Sequence, residues 1–169
     1  MTVNARELFL NACWGKPVPR PPVWLMRQVG RYMDKYQALR SRLSFIELIT
    51  QPRAATEATL IALDDLDPDA LIIFSDILPV LAAMGAESAY QPKLSVAADI
   101  NRLETAPKES WLSPAWETVR DVKKAAKGEK AVLGFAGAPF TLFYYLMDKS
   151  ARSRSFLLSD EKRSRTILQ

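Results

Sequence analysis

Arg27 and Arg31 stand four positions apart, with Gln28 and Gly30 between them, directly after the apolar run Val23-Trp24-Leu25-Met26. A guanidinium stays charged at physiological pH and offers forked N–H donors, so a pair of them suits the capture of carboxylates. The same spacing also suits a solvated face, and the two arginines alone leave both readings open. A second polar group follows an apolar run at Ser75-Asp76, where an aspartate can either stabilise developing positive charge or cap a turn. The chain contains no histidine, which removes the usual neutral-pH acid–base group and the commonest metal ligand. Chemistry in this sequence therefore falls to carboxylates, Tyr, Lys or Arg.

The elements that must position these residues alternate. Asn4 followed by Glu7 has the form of a capping box and opens a helix through Cys13, with Gly15 as its stop. Prolines 17, 19, 21 and 22 then lead into the strand-like residues 23–26, and "MDKYQALRSRL" is helical in composition. Gln51-Pro52 starts another helix, with Ala55, Ala58, Ile61 and Ala62 on one side, ending near "DDLDPD". The continuous apolar run 70–74 reads as a strand covered on both faces. Ser113-Pro114 begins a helix carrying Val119, Val122 and Ala126 and closed by Gly128, and 131–135 is the next buried strand. Strands alternating with helices imply βαβ units and a parallel sheet. Each unusual cluster, at Arg27, at Ser75-Asp76 and at Ala136-Gly137-Ala138-Pro139, falls at the carboxyl end of one of these strands. In parallel α/β proteins that is the ligand-binding side.

Composition bounds what the chain does. At 169 residues, 49% hydrophobic and 25% charged, it has the length and make-up of a folded globular domain. The lone Cys13 cannot form an internal disulfide, and the opening residues lack the pattern of a signal peptide or membrane helix, which points to the cytoplasm and away from membranes. The formal charge of +4 is concentrated in residues 148–169, where six Lys and Arg face three acids, a balance of +3. No nucleic-acid motif accompanies this basic polar tail, so it reads as a solvated end and not as a nucleic-acid-binding element.

"PPVWLMRQVGRYM" (21–33), "IIFSDIL" (72–78) and "GFAGAPFTL" (134–142) resemble, in this order and at these separations, the three signature stretches of the uroporphyrinogen decarboxylase family. The likeness runs from about Ala5 to Tyr145 and covers the amino-terminal half of the family's chain. It implies an α/β fold, an incomplete amino-terminal portion of a TIM-type (β/α)₈ barrel over residues 1–147, followed by the divergent tail 148–169. It further implies cofactor-free and metal-free removal of four acetate carboxyls from uroporphyrinogen, giving coproporphyrinogen in heme biosynthesis, by an enzyme that is a homodimer when complete. Under this resemblance Arg27 and Arg31 bind substrate carboxylates and are candidate proton donors, Gln28 lines their loop, and Gly30 lets the backbone approach. Asp76 hydrogen-bonds pyrrole N–H groups and stabilises the cation formed during the reaction. Tyr145 contacts substrate, and Phe135 packs on a pyrrole face or, as the bland alternative, in the core.

The sequence departs from the family pattern mildly at "QVGRY", where Ala is usual for Val29, and at Phe140, where Trp is more frequent. It departs strongly after Tyr145. A truncated, non-catalytic tetrapyrrole-binding remnant is therefore the alternative reading. A corrinoid methyltransferase-like relative would need zinc ligands that a histidine-free chain with one cysteine does not offer.

Overall fold

The structure is a computed structural model that describes residues 4–86, 103–104 and 106–146. The tail 148–169 lies outside the described residues. The chain divides into two compact units, the first comprising residues 1–75 and 113–135 and the second residues 76–112 and 136–169.

In the first unit, α1 (Ala5–Cys13) is capped by Asn4, whose side chain accepts the Glu7 N–H at 2.8 Å, and Gly15 beyond it has φ +66°, the left-handed conformation a helix stop requires. Helices α2 (Asp34–Arg42), α3 (Phe45–Thr50) and α4 (Pro52–Leu66) follow. A reciprocal Ser44–Glu47 capping box opens α3, and Pro52 occupies the first turn of α4, where its missing N–H costs nothing. The left-handed Asp67 ends α4. Strand β1 (Ala70–Ile72) then pairs in parallel with β2 (Ala131–Leu133), matching Ala70 to Ala131, Leu71 to Val132 and Ile72 to Leu133. The parallel pairing expected from the alternating pattern is present, although each strand is shorter than its apolar run.

Two apolar clusters hold this unit together. Ala62, Leu71, Val122 and Ala126 pack α4 and α6 (Glu109–Ala125) onto the sheet, while Met33, Tyr36, Leu39, Leu48, Ala54, Ala58 and Ile61 join α2, α3 and α4. Phe74 closes the second cluster, its ring centroid 5.5 Å from that of Tyr36 and 6.2 Å from that of Phe45. Thr59 fixes the chain leaving β1: its hydroxyl donates to the Ala55 carbonyl and accepts the Phe74 N–H, both at 2.8 Å.

Two local expectations are corrected. Residues 23–26 run without a strand ladder, because side chains take the backbone groups a neighbouring strand would use. Asp69 accepts the Val23 N–H and Gln28 accepts the Leu25 N–H, while the Val23 carbonyl accepts the Asp69 N–H at 2.8 Å and the Leu25 carbonyl turns back to the Gln28 N–H at 3.2 Å. The helix expected from Ser113 begins at Glu109 and carries Pro114 inside it. Pro114 has no N–H to give, so the ladder is interrupted there, and the Thr118 hydroxyl donates to the Pro114 carbonyl one turn on.

The second unit contains α5 (Pro79–Ala83) and α7 (Pro139–Leu146). Leu78, Leu81, Ala86 and Leu146 form its core, flanked by Ile77, Val80, Leu103, Leu142 and Tyr145. Among the described residues no helix is long and apolar enough to cross a membrane.

Candidate active site

The arginine loop grows out of the first unit's core. Val29 packs against both apolar clusters, so the residue between Gln28 and Gly30 anchors the loop to sheet and helices at once. Gln28 is 1% exposed and bonded at both ends of its amide: its Oε1 accepts the Leu25 N–H and its Nε2 donates to the Ala70 carbonyl at the start of β1, each at 3.3 Å. Arg27 and Arg31, on either side of these anchors, are exposed. This arrangement leaves two cations on the surface of a loop whose own polar groups are tied inward, which is what capture of an anionic ligand needs.

Four residues that the sequence did not single out support the loop and the run that leads into it. Tyr32 Oη lies 2.6 Å from the Gln28 carbonyl and 3.2 Å from the Arg27 carbonyl, and Gln37 Nε2 donates to the Arg31 carbonyl at 2.9 Å. At the other end of the apolar run Asp69, with a side chain 6% exposed, accepts two bonds from Arg20 at 2.6 and 2.7 Å and the Val23 N–H at 2.7 Å. The Arg20 hydrogen bonds, aided by the Val23 N–H, outweigh the effect of burial and hold the Asp69 carboxyl below the usual carboxylate value. These ties join residues far apart in the chain, 49 positions for Arg20 and Asp69, and no short motif records them.

Phe135, also in the first unit, lies two residues beyond β2 and is 41% exposed. Asp76 and Tyr145 belong to the second unit. Asp76 Oδ1 accepts the N–H of Ile77 at 2.7 Å, and its Oδ2 has no partner among the described residues. Ile77 and Tyr145 flank the same apolar cluster. Gly137 belongs to this packing as well: a Cβ there would lie 2.5 Å from Leu142 Cδ2 and 2.8 Å from its Cγ, so the Leu142 side chain would have to move, and 3.2 Å from the Ile77 Cβ, a tight contact.

Elsewhere in the first unit a cavity of about 630 Å³ opens against α2, α4 and α6, lined by Lys35, Arg53, Thr56, Glu57, Asp64 and Asp121 among others. None of the candidate substrate-binding or catalytic residues lines it. Among the described residues no group of three His, Cys, Asp or Glu side chains could hold a metal ion.

A family model described as uroporphyrinogen decarboxylase (URO-D) matches residues 4–169. The chain belongs to the uroporphyrinogen decarboxylase family. Relatives bearing the name uroporphyrinogen decarboxylase include those of Syntrophotalea carbinolica, 43% identical over 155 residues, and of Trichlorobacter lovleyi and Geobacter metallireducens, each 42% identical over 146. These alignments cover 88%, 83% and 83% of this chain and 45%, 43% and 43% of the respective relatives. The chain therefore spans less than half the length of these uroporphyrinogen decarboxylases.

Proposed function

We propose that this chain is the amino-terminal portion of a uroporphyrinogen decarboxylase, its parallel strand pair forming part of a (β/α)₈ barrel, and that it takes part in converting uroporphyrinogen to coproporphyrinogen. The observation that carries this reading is the arginine loop in a chain of this family: two exposed guanidinium groups on a backbone held in place before any ligand arrives. Arg27 and Arg31 bind carboxylates of the porphyrinogen, which carries eight of them and gives forked donors an acceptor wherever it presents an edge.

Each decarboxylation begins with a proton added to a pyrrole ring, making it a cation. The C–C bond between the acetate methylene and its carboxylate breaks, CO₂ leaves, and the electron pair of that bond returns to the ring and neutralises it. A proton delivered to the exocyclic carbon and loss of the ring proton leave a methyl group, so one proton is consumed for each CO₂ released. Asp76 supports this sequence electrostatically. Its carboxylate accepts pyrrole N–H bonds and is worth most when the ring is positive, which lowers the transition state more than the bound substrate. Tyr145, three residues past Leu142 on α7, contacts the substrate, and Phe135 packs on a pyrrole face.

The test is coproporphyrinogen formation from uroporphyrinogen by the chain continued through the length of its relatives, with the 169-residue chain run alongside. Coproporphyrinogen from the continued protein is expected. A folded, continued protein that binds uroporphyrin and releases no CO₂ would return the chain to the role of a tetrapyrrole-binding module.

A further inference from the structure

The backbone of the arginine loop is held by side chains in a pattern that the carboxylate-binding role does not by itself require. The carbonyls of Arg27, Gln28 and Arg31 all point to side chains at the head of α2: Tyr32 takes the first two and Gln37 the third. Tyr32 has one hydroxyl proton, and the 2.6 Å separation gives it chiefly to Gln28, with Arg27 sharing at 3.2 Å. Gln28 in turn ties the loop to β1 through the Ala70 carbonyl. Gly30 fits this arrangement for a steric reason: a Cβ there would lie 3.2 and 3.3 Å from Cε1 and Cδ1 of the Tyr32 ring, tighter than carbon atoms ordinarily approach, so the ring would have to shift by a few tenths of an ångström and carry its hydroxyl with it.

We infer that Tyr32, Gln28 and Gln37 are positioning residues that fix the spacing of Arg27 and Arg31 before ligand binds, and that Gly30 is glycine to admit the Tyr32 ring. Tyr32 is 63% exposed, so packing alone does not hold it, and its hydroxyl bonds carry the constraint. A loop preset in this way does not have to be ordered at the moment of binding, and the entropy that ordering would cost is not subtracted from affinity. What the loop binds rests on the proposed function; how the loop is held does not.

Two reporters lie inside the loop: the Gln28 amide, which donates to the Leu25 carbonyl at 3.2 Å, and the Met33 amide, which donates to the Gly30 carbonyl at 3.0 Å. The Ile73 amide, bonded to the Leu133 carbonyl at 3.0 Å, reports on the sheet of the same unit. In native-state hydrogen exchange on the 169-residue chain, Tyr32→Phe and Gly30→Ala should each speed exchange at Gln28 and Met33 about three- to tenfold, the range for one lost hydrogen bond, with Ile73 unchanged. Binding of uroporphyrin, used as an octacarboxylate probe and followed by its fluorescence, should weaken in Tyr32→Phe by no more than that same factor. Unchanged exchange in the loop, or a matching rise at Ile73, would overturn the inference, since the hydroxyl would then be idle or generally structural. Loss of probe affinity well beyond tenfold would overturn it too, because Tyr32 would be a ligand contact. If the parent chain ignores uroporphyrin while the exchange pattern appears as described, the brace stands and the porphyrinogen reading is what fails.

Discussion

Two aspartates bracket β1 and are used in opposite ways. Asp69, one residue before the strand, is buried and committed: Arg20 and the Val23 N–H occupy both of its oxygens. Asp76, four residues past the strand, is half-buried, has one oxygen on its neighbour's N–H, and keeps the other without a partner among the described residues. A carboxylate whose lone pairs are filled by the protein can hold a fold together but has little left for a ligand. One with an uncommitted oxygen is poorly used as a structural part and well suited to meet a cation. The division agrees with the usual layout of parallel α/β proteins, in which the amino-terminal ends of strands carry stability and the carboxyl-terminal ends carry chemistry.

The contrast can be broken most sharply at Asp76. In the protein continued to its relatives' length, Asp76→Asn keeps the shape and removes the charge, and turnover at saturating uroporphyrinogen should fall on the order of 10²- to 10³-fold with affinity little changed. Asp76→Glu should lose less, because the charge is only displaced by one methylene. An Asn variant that binds weakly and turns over normally would make Asp76 a binding or structural residue. Next in size, Arg27→Ala or Arg31→Ala should each reduce kcat/KM by about 30-fold, corresponding to about 2 kcal/mol for a lost charge-assisted hydrogen bond. Normal kinetics in both variants would return the pair to a solvated face.

On the structural side, Asp69→Ala should lower unfolding stability by about 2 to 3 kcal/mol, since it removes the acceptor of the Val23 N–H and of two Arg20 bonds, the anchor of residues 20–23, and chemical denaturation would measure it. The pH dependence has a definite sign. The folded-state carboxyl of Asp69 titrates below its unfolded value of about 4, so its contribution is present above about pH 4 and is lost as pH falls through the folded-state value. Melts of parent and Asp69→Ala should therefore differ by a constant gap from pH 5 to 7, and the gap should shrink below pH 4. A gap that stays constant down to pH 2 would place the stabilisation in packing. Smallest is Gln28→Ala, expected to cost about 2 kcal/mol or less, because both of its side-chain bonds are long at 3.3 Å.

What could be read from the sequence followed from signals that are local. Asn4 before Glu7, Pro52 after Gln51 and the left-handed Gly15 each mark a helix end by chemistry contained within a few residues, and the helix starts and stops fall there. The apolar runs at 70–74 and 131–135 revealed the two strands, and their alternation with helices gave the parallel sense. Residues 23–26 look like the same kind of run, yet their ladder positions are taken by Asp69 and Gln28, and a side chain competing from 46 residues away leaves no periodicity. Pro114 suggested a helix start for a sound reason, and the structure instead accommodates it inside α6. Arg27, Arg31 and Asp76 stood out because charge after an apolar run is visible. Tyr32 and Gln37 did not, because a side chain that binds a carbonyl looks in sequence like any other polar residue on a helix. The available hint was Tyr32 two places after Gly30, an aromatic beside a glycine that leaves room for it.

The central claim, that one aspartate holds the fold and the other runs the reaction, is tested most directly by measuring Asp69→Asn and Asp76→Asn side by side in the continued protein. Each would be characterised by its melting temperature and by its initial rate of coproporphyrinogen formation at saturating uroporphyrinogen, well below both melting points. The account predicts a crossed result: Asp69→Asn melts lower and turns over close to the parent rate, while Asp76→Asn melts like the parent and turns over on the order of 10²-fold or more slowly. Equal loss of stability in both variants, or normal turnover by Asp76→Asn, would contradict it.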